Sequence, residues 1–251
     1  MTLQTFRVDL HIHTCLSPCG ELEMTPMKIV QRCEEISLNV IAVCDHNSAE
    51  NVMGMQRAAA GTSLTVLAGM EVTTSEEVHV MGLFDTAEQA LTLQGKVYGH
   101  LLPGENDEDL FGIQVVANEH DEVEEIESRL LIGGTTMSLD EVVDAIHGLG
   151  GLVIASHVDR EAYSLLGQLG MIPPGLKADA LEVSARGNLE NVRRMPGVER
   201  YPLVRSSDAH RLQDMGQATT LFSIAEVTVS EMGKAFQGLN GRFFSDGGAV
   251  C

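Results

Sequence analysis

The chain has 251 residues and a formal net charge of −20 at pH 7, with 36 Asp and Glu against 16 Lys and Arg. Such a balance disfavours long nucleic acids and anionic membranes, whose binding rests on clustered Lys and Arg that neutralise phosphates. Hydrophobic content of 44% and charged content of 21% suit a globular protein with a sizeable core, and no apolar run reaches the roughly 18 to 20 residues needed to span a bilayer.

The first ten residues, "MTLQTFRVDL", lack the basic head and apolar core of an export signal. The expectation is a cytoplasmic protein without membrane association. Cys15, Cys19, Cys33, Cys44 and Cys251 are odd in number and form no C-x-x-C pair, so reduced thiols are expected rather than a disulfide scaffold.

Short apolar, β-branched runs recur along the chain and are expected to form strands. In order they are "FRVDLHIH" (6–13), "NVIAVCDH" (39–46), "SLTVLAGMEV" (63–72), "EVHVMGLF" (77–84), "GLVIASHV" (151–158), "ALEVSA" (180–185) and "YPLVRSSDAH" (201–210). "TTLFSI" (219–224) and "GRFFS" (241–245) are two further candidates. Helix signals lie between them. Thr25-Pro26 offers a cap followed by proline at the first helical position. Ser138 and Glu141 form a capping-box pattern, and "EVTVSEMGKAFQGLN" is helical in pattern. Continuous apolar strands alternating with helices indicate an α/β protein with a mostly parallel sheet, open or closed into a barrel. The acidic segment at about 86–137 breaks this rhythm, and the sequence alone points to one domain, 1–251, carrying it as an insertion with a short hairpin or helix.

Chemistry-bearing residues collect at the strand candidates' ends: His11 and His13, Asp45-His46, Glu71, His79, His157, and Asp208 with His210. Six of the nine histidines fall at such positions. In a parallel α/β barrel the strand ends form one face, so these groups would meet in one cleft. Imidazole and carboxylate together suit Zn, Fe or Mn. Two ions roughly 3.5–4 Å apart can clamp the attacking and leaving oxygens of a phosphoester.

These segments resemble the PHP (polymerase and histidinol phosphatase) superfamily in order and spacing. "DLHIHT" (9–14), "VCDHNS" (43–48), "ASHVDR" (155–160) and "SSDAHR" (206–211) resemble its four motifs; "GMEVTT" (69–74) and "VHVMGLF" (78–84) resemble the intervening Glu and His segments. The resemblance implies a distorted (β/α)7 TIM-like barrel with two or three divalent ions (Zn, Fe or Mn) at the C-terminal strand ends. By the same resemblance His11, His13, Glu71 and Asp208 would hold one ion. Glu71 would bridge to a second, held by His79 and His157, and His46 and His210 would contribute to a third. His100 and His120 compete with His79 for its place. Asp45 and Asp9 would orient ligands.

One turn departs from the family pattern. Where a carboxylate is commonly found, this chain reads "CLSPCG". Either Cys19 replaces the carboxylate as a thiolate, favouring Zn or Fe, or Glu21 reaches in, or the third site is weak or empty. Cys15 has no evident role.

The expected reaction is metal-dependent hydrolysis of a small phosphomonoester, such as histidinol phosphate or a mononucleotide, by a hydroxide shared between ions. Asp208 and His210 would assist proton movement. Among Arg160, Arg186 and Arg205, the first two are the expected phosphate binders. The insertion would be either a lid or a surface elaboration. Two alternatives stand: a phosphodiesterase or 3′-end exonuclease on short oligonucleotides, and a catalytically silent metal-bound regulatory module. No P-loop, G-x-G-x-x-G, G-x-S-x-G or H-E-x-x-H motif occurs.

Overall fold

The computed structural model describes residues 2–249, so Cys251 lies outside the described residues. In chain order the elements begin β1 (Gln4–Ile12), α1 (Pro26–Glu35), β2 (Val40–Val43), α2 (Asn51–Ala58), β3 (Thr65–Thr73) and β4 (His79–Phe84). They continue with α3 (Ala87–Tyr98), α4 (Glu108–Phe111), β5 (Val115–Ala117), β6 (Val123–Ile126), α5 (Leu139–Gly148), β7 (Leu152–Ala155) and α6 (Leu165–Leu169). The rest are β8 (Ala180–Val183), α7 (Leu189–Arg193), β9 (Leu203–Arg205), β10 (Thr219–Ile224), α8 (Val229–Phe236) and β11 (Phe243–Gly248).

Nine strands form one sheet in the order β11-β10-β1-β2-β3-β4-β7-β8-β9, curled into a nearly closed TIM-like barrel. Beyond β9 the chain returns to β1, where the His13 amide donates to the Ala209 carbonyl at 3.0 Å. Below that point side chains close the seam. The Arg205 amide donates to Thr220 Oγ1, whose hydroxyl donates to the Arg205 carbonyl, each at 2.9 Å.

The sheet is less parallel than the apolar runs imply. The pairs β1–β2, β2–β3, β7–β8 and β8–β9 are parallel, while β1–β10, β10–β11, β3–β4 and β4–β7 are antiparallel. β4 follows β3 after a five-residue turn, too short for a crossover helix, so it must run backwards. Its first residue, His79, therefore lies at the end where the parallel strands finish.

Alternating side chains build two apolar layers. Ile41, Val43, Met70, Val72 and Val80 pack outward against α1, α2, α3 and α5. Val8, Leu10, Val40, Ala42, Leu67, Met81, Leu83 and Ile154 fill the interior, joined by Val229, Met232 and Ala235 of α8. The Val229 amide donates to Asp85 Oδ1 at 2.8 Å, just past the end of β4. α8 thus plugs the barrel end opposite His79.

The helix signals were realised unevenly. Ser138 and Glu141 form the capping box of α5. Pro26 opens α1, but Thr25 gives no cap; Asp121, in the turn between β5 and β6, accepts from the Thr25 hydroxyl and the Met27 amide. The acidic segment 86–137 divides in two. α3 buries Ala90, Leu93 and Val97 in the outer layer as a barrel helix does. The remainder carries α4 and the β5–β6 hairpin, resting on a small cluster of Leu16, Val116 and Leu131.

Candidate metal centre

A β-bulge sets up the site. Asp9 pairs with Ile41 and Ile12 with Val43, which leaves Leu10 and His11 together opposite Ala42. The extra residue breaks the alternation. Leu10 belongs to the interior and Ile12 to the outer layer, so His11 and His13 both face the barrel's mouth.

Around Glu71, at the end of β3, five imidazoles converge. The nearest nitrogens of His46 and His79 lie 3.1 and 3.2 Å from its carboxylate oxygens. Those of His11 and His157 lie at 3.4 Å and that of His13 at 3.5 Å. Asp208 Oδ1 sits 3.1 Å from His13 Nε2 and 3.4 Å from His11 Nε2. His210 stacks on His13 with ring centroids 4.0 Å apart. Three groups have ligand atoms close enough to share one ion: His11, His13 and Asp208; His46, Glu71 and His79; and His13, His46 and His210.

The fit to a cation rests on unmet polar atoms. Both oxygens of Glu71 are buried without a hydrogen-bond donor, and Nδ1 of His46, His79 and His157 is buried without a partner. A buried charge left this way is costly. The donors that crowd it are nitrogen and carboxylate oxygen, which suits a divalent transition metal.

A second layer fixes these rings, and the sequence reading missed half of it. Glu182 of β8, fully buried, lies 3.0 and 3.2 Å from His11 Nδ1 and accepts from the His157 amide at 3.0 Å. The signal was there: a charged residue in the middle of a short, otherwise apolar strand. Ser17 was also missed. Its hydroxyl donates to Asp45 Oδ1 at 2.7 Å and meets His13 Nδ1 at 2.9 Å. Asp45, expected to orient a ligand, thus reaches His13 through Ser17. It also accepts from the amide and hydroxyl of Thr14, each at 2.7 Å. Asp9 accepts from the amides of Ser207 and Gly216 and so ties down the loop carrying Asp208.

Electrostatics follow from burial and neighbours. Burial alone would lower His11, but the carboxylates of Glu182, Glu71 and Asp208 raise it well above the ordinary histidine value. His13 is pushed well below by burial and by His210 and His46. Against burial, His79 and His11 hold Glu71 well below the usual carboxylate range, and His11 and His13 do the same for Asp208. Left-handed backbone at Asn47, His157, Tyr163 and Asp208 costs of order 1–3 kcal/mol each, and such strain clusters at functional sites.

Above the donors opens a cleft of about 960 Å³ lined by Cys19, Ile132, Arg160, Tyr163 and Arg186 as well as the histidines. Arg160 Nη2 lies 2.5 Å from Asp208 Oδ2. Cys19 is the exposed residue of an otherwise buried turn, yet its thiol faces His210 and His46. Burial would raise it, but those rings bring it down to about 6. Cys15 is buried and raised to about 12 by desolvation.

Several candidates lie elsewhere. Glu21 is paired with Arg211 at 3.3 Å on the surface, outside the donor cluster. His100 and His120 are exposed on the segment that follows α3, and His79 is the histidine that meets Glu71. Arg205 turns to the Ala185 carbonyl and Asp246, because it sits where the sheet closes rather than at the mouth.

Comparison with protein families matches residues 9–147, more than half of the chain, to the PHP domain and 200–237 to the PHP-associated family. A 5'-3' exoribonuclease of Haemophilus influenzae is 29% identical over 92 residues, 35% of this chain and 32% of that protein. The lesion-specific endonuclease PfuEndoQ from Pyrococcus furiosus superposes with a TM-score of 0.74 at 19% identity, over 96% of this chain and 58% of that one. A Bifidobacterium adolescentis protein proposed to be a metal-dependent phosphoesterase superposes at 0.57 and 18% identity, covering 81% and 87%. The chain therefore spans about a third of the exoribonuclease and a little over half of the endonuclease.

Proposed function

Because the chain belongs to the PHP domain family of metal-dependent phosphoester hydrolases, we propose that it hydrolyses a small phosphomonoester at this cluster. The observation that carries the reading is Glu71, encircled by five imidazoles with neither oxygen hydrogen-bonded. His11, His13, His46, Glu71, His79, His157, Asp208 and His210 would hold two or three divalent ions, with Cys19 beside His46 and His210 as a further donor. Zn, Fe or Mn there would supply Lewis acidity, activating water and offsetting phosphoryl charge.

The chain's own groups do the rest. Arg160 and Arg186, both on the cleft's rim, bind phosphoryl oxygens through the guanidinium fork, Arg160 releasing Asp208 as it does so. His210 Nδ1 is fixed 2.9 Å from the Asp208 carbonyl oxygen, which leaves its Nε2 for a ligand or for a proton bound for the leaving oxygen. Ser17 and Glu182 hold His13 and His11 in orientation.

A phosphodiester substrate is the second reading, favoured by the likeness to an exoribonuclease and an endonuclease. The net charge of −20 weighs against a long polyanion. Metal-loaded protein offered phosphomonoesters, bis-phosphates and labelled oligonucleotides decides. Phosphate release from small esters is expected. Shortening of oligomers alone would favour the second reading, and no turnover at full metal occupancy would overturn both.

A further inference from the structure

Tyr163 is not accounted for by this chemistry. The chain has three tyrosines and no tryptophan, yet this one is 43% exposed at the cleft. Its φ is +55°, a left-handed conformation that a bulky aromatic residue rarely adopts. Two contacts hold it there. The His79 amide donates to the Tyr163 carbonyl at 3.0 Å. The ring stacks on the His79 imidazole with centroids 4.7 Å apart and planes 24° from parallel. His79 thus covers one ring face, while the residue lines the cleft and keeps 43% of its surface exposed. Glycine or asparagine would make the same turn with less strain, so turn formation alone does not explain a tyrosine. Ile132, from the loop ahead of α5, adds a second apolar surface to the same cleft.

We propose that Tyr163 is a stacking platform for a flat aromatic group of the substrate, so that the phosphomonoester carries a ring, as a nucleotide does, rather than being a purely aliphatic phosphate. The proposal rests on the phosphomonoester reading above. Stacking of a base on an aromatic side chain is sequence-tolerant and needs only an open ring face. The cleft provides that face beside His79, with Arg160 and Arg186 lining the same space for the phosphate.

Equilibrium binding to the metal-loaded full chain tests it, with the non-hydrolysable phosphonate analogues of adenosine monophosphate and glycerol phosphate as probes. The wild-type protein is expected to bind the nucleotide more tightly. Tyr163→Leu is expected to shrink the ratio of the two Kd values about tenfold or more, while Tyr163→Phe keeps it. Metal content is measured for each variant; should Tyr163→Leu lose metal, Tyr163→Trp decides, and it is expected to preserve or widen the ratio. A wild-type ratio near one overturns the platform while leaving the phosphomonoester reading intact. An equal loss for both probes in Tyr163→Leu at full metal content, or no loss, does the same. Binding of neither probe to the wild-type protein fails the phosphomonoester reading itself.

Discussion

Two buried glutamates show how differently this fold treats a charge. Glu231, on α8 at the closed end of the barrel, accepts from Arg242 Nε and Nη2 at 2.6 and 2.9 Å, from Lys234 Nζ at 2.9 Å and from the Ala225 amide at 3.0 Å. Its partners come from the protein, and they tie α8 to the residues after β10 and before β11. Glu71, at the open end, has five imidazoles within reach and no hydrogen bond. One carboxylate is completed by the chain, and the other is arranged for something the chain does not contain.

Glu71→Gln breaks the contrast most sharply. It is expected to lower bound metal by at least one ion per chain and remove nearly all phosphoesterase activity. The metal-free protein is expected to lose some stability at neutral pH as well, because the imidazoles of His79 and His11 that hold the carboxylate ionised lose their partner. Elemental analysis and thermal melts with and without metal check this. Unchanged metal content would dismiss Glu71 as a ligand.

Glu182→Gln comes next. It keeps the shape and removes the charge behind His11, so metal affinity should fall about 10- to 100-fold, measured by competition with a chelator. Ser17→Ala cuts the path from Asp45 to His13 and is expected to cost at the lower end of the same range, about tenfold. An affinity equal to wild type would reduce Ser17 to a turn residue.

Glu231 yields the smallest and most local effect, and it concerns stability alone. Arg242 and Lys234 lower its pKa from 4.5 to about 2. The folded value lies below the unfolded one, so the stabilisation is present above pH 4.5 and is lost as pH falls towards about 2. Glu231→Gln should weaken the fold at neutral pH and flatten the stability profile over that window, with metal content unchanged. Denaturant titrations at several pH values read it directly.

Much of the candidate site was legible because the ligand-type residues stand at the ends of apolar runs. His11, His13, His46, Glu71, His79, His157, Asp208 and His210 meet in space from motifs spread over two hundred residues. Residues that act on those groups were harder to read. Ser17 lies in a turn, where serine is an ordinary residue, and Glu182 gained meaning only when β8 was set beside β7 and across from β1. Arg205 shares the residue type and strand-end position of the other arginines, but the seam with β10 claims it.

The sequence by itself determined that strands and helices alternate and that imidazoles and carboxylates gather at strand ends, because burial on both faces demands continuous apolar runs and leaves polar residues for the exits. Two decisions belonged to the tertiary structure. The reversal of β4 brings His79 to the mouth from the start of its strand rather than the end, and the bulge at Leu10-His11 turns the paired histidines inward. Both depend on how a strand pairs with its neighbours, and pairing is settled by the packed sheet rather than by the residues of any one strand.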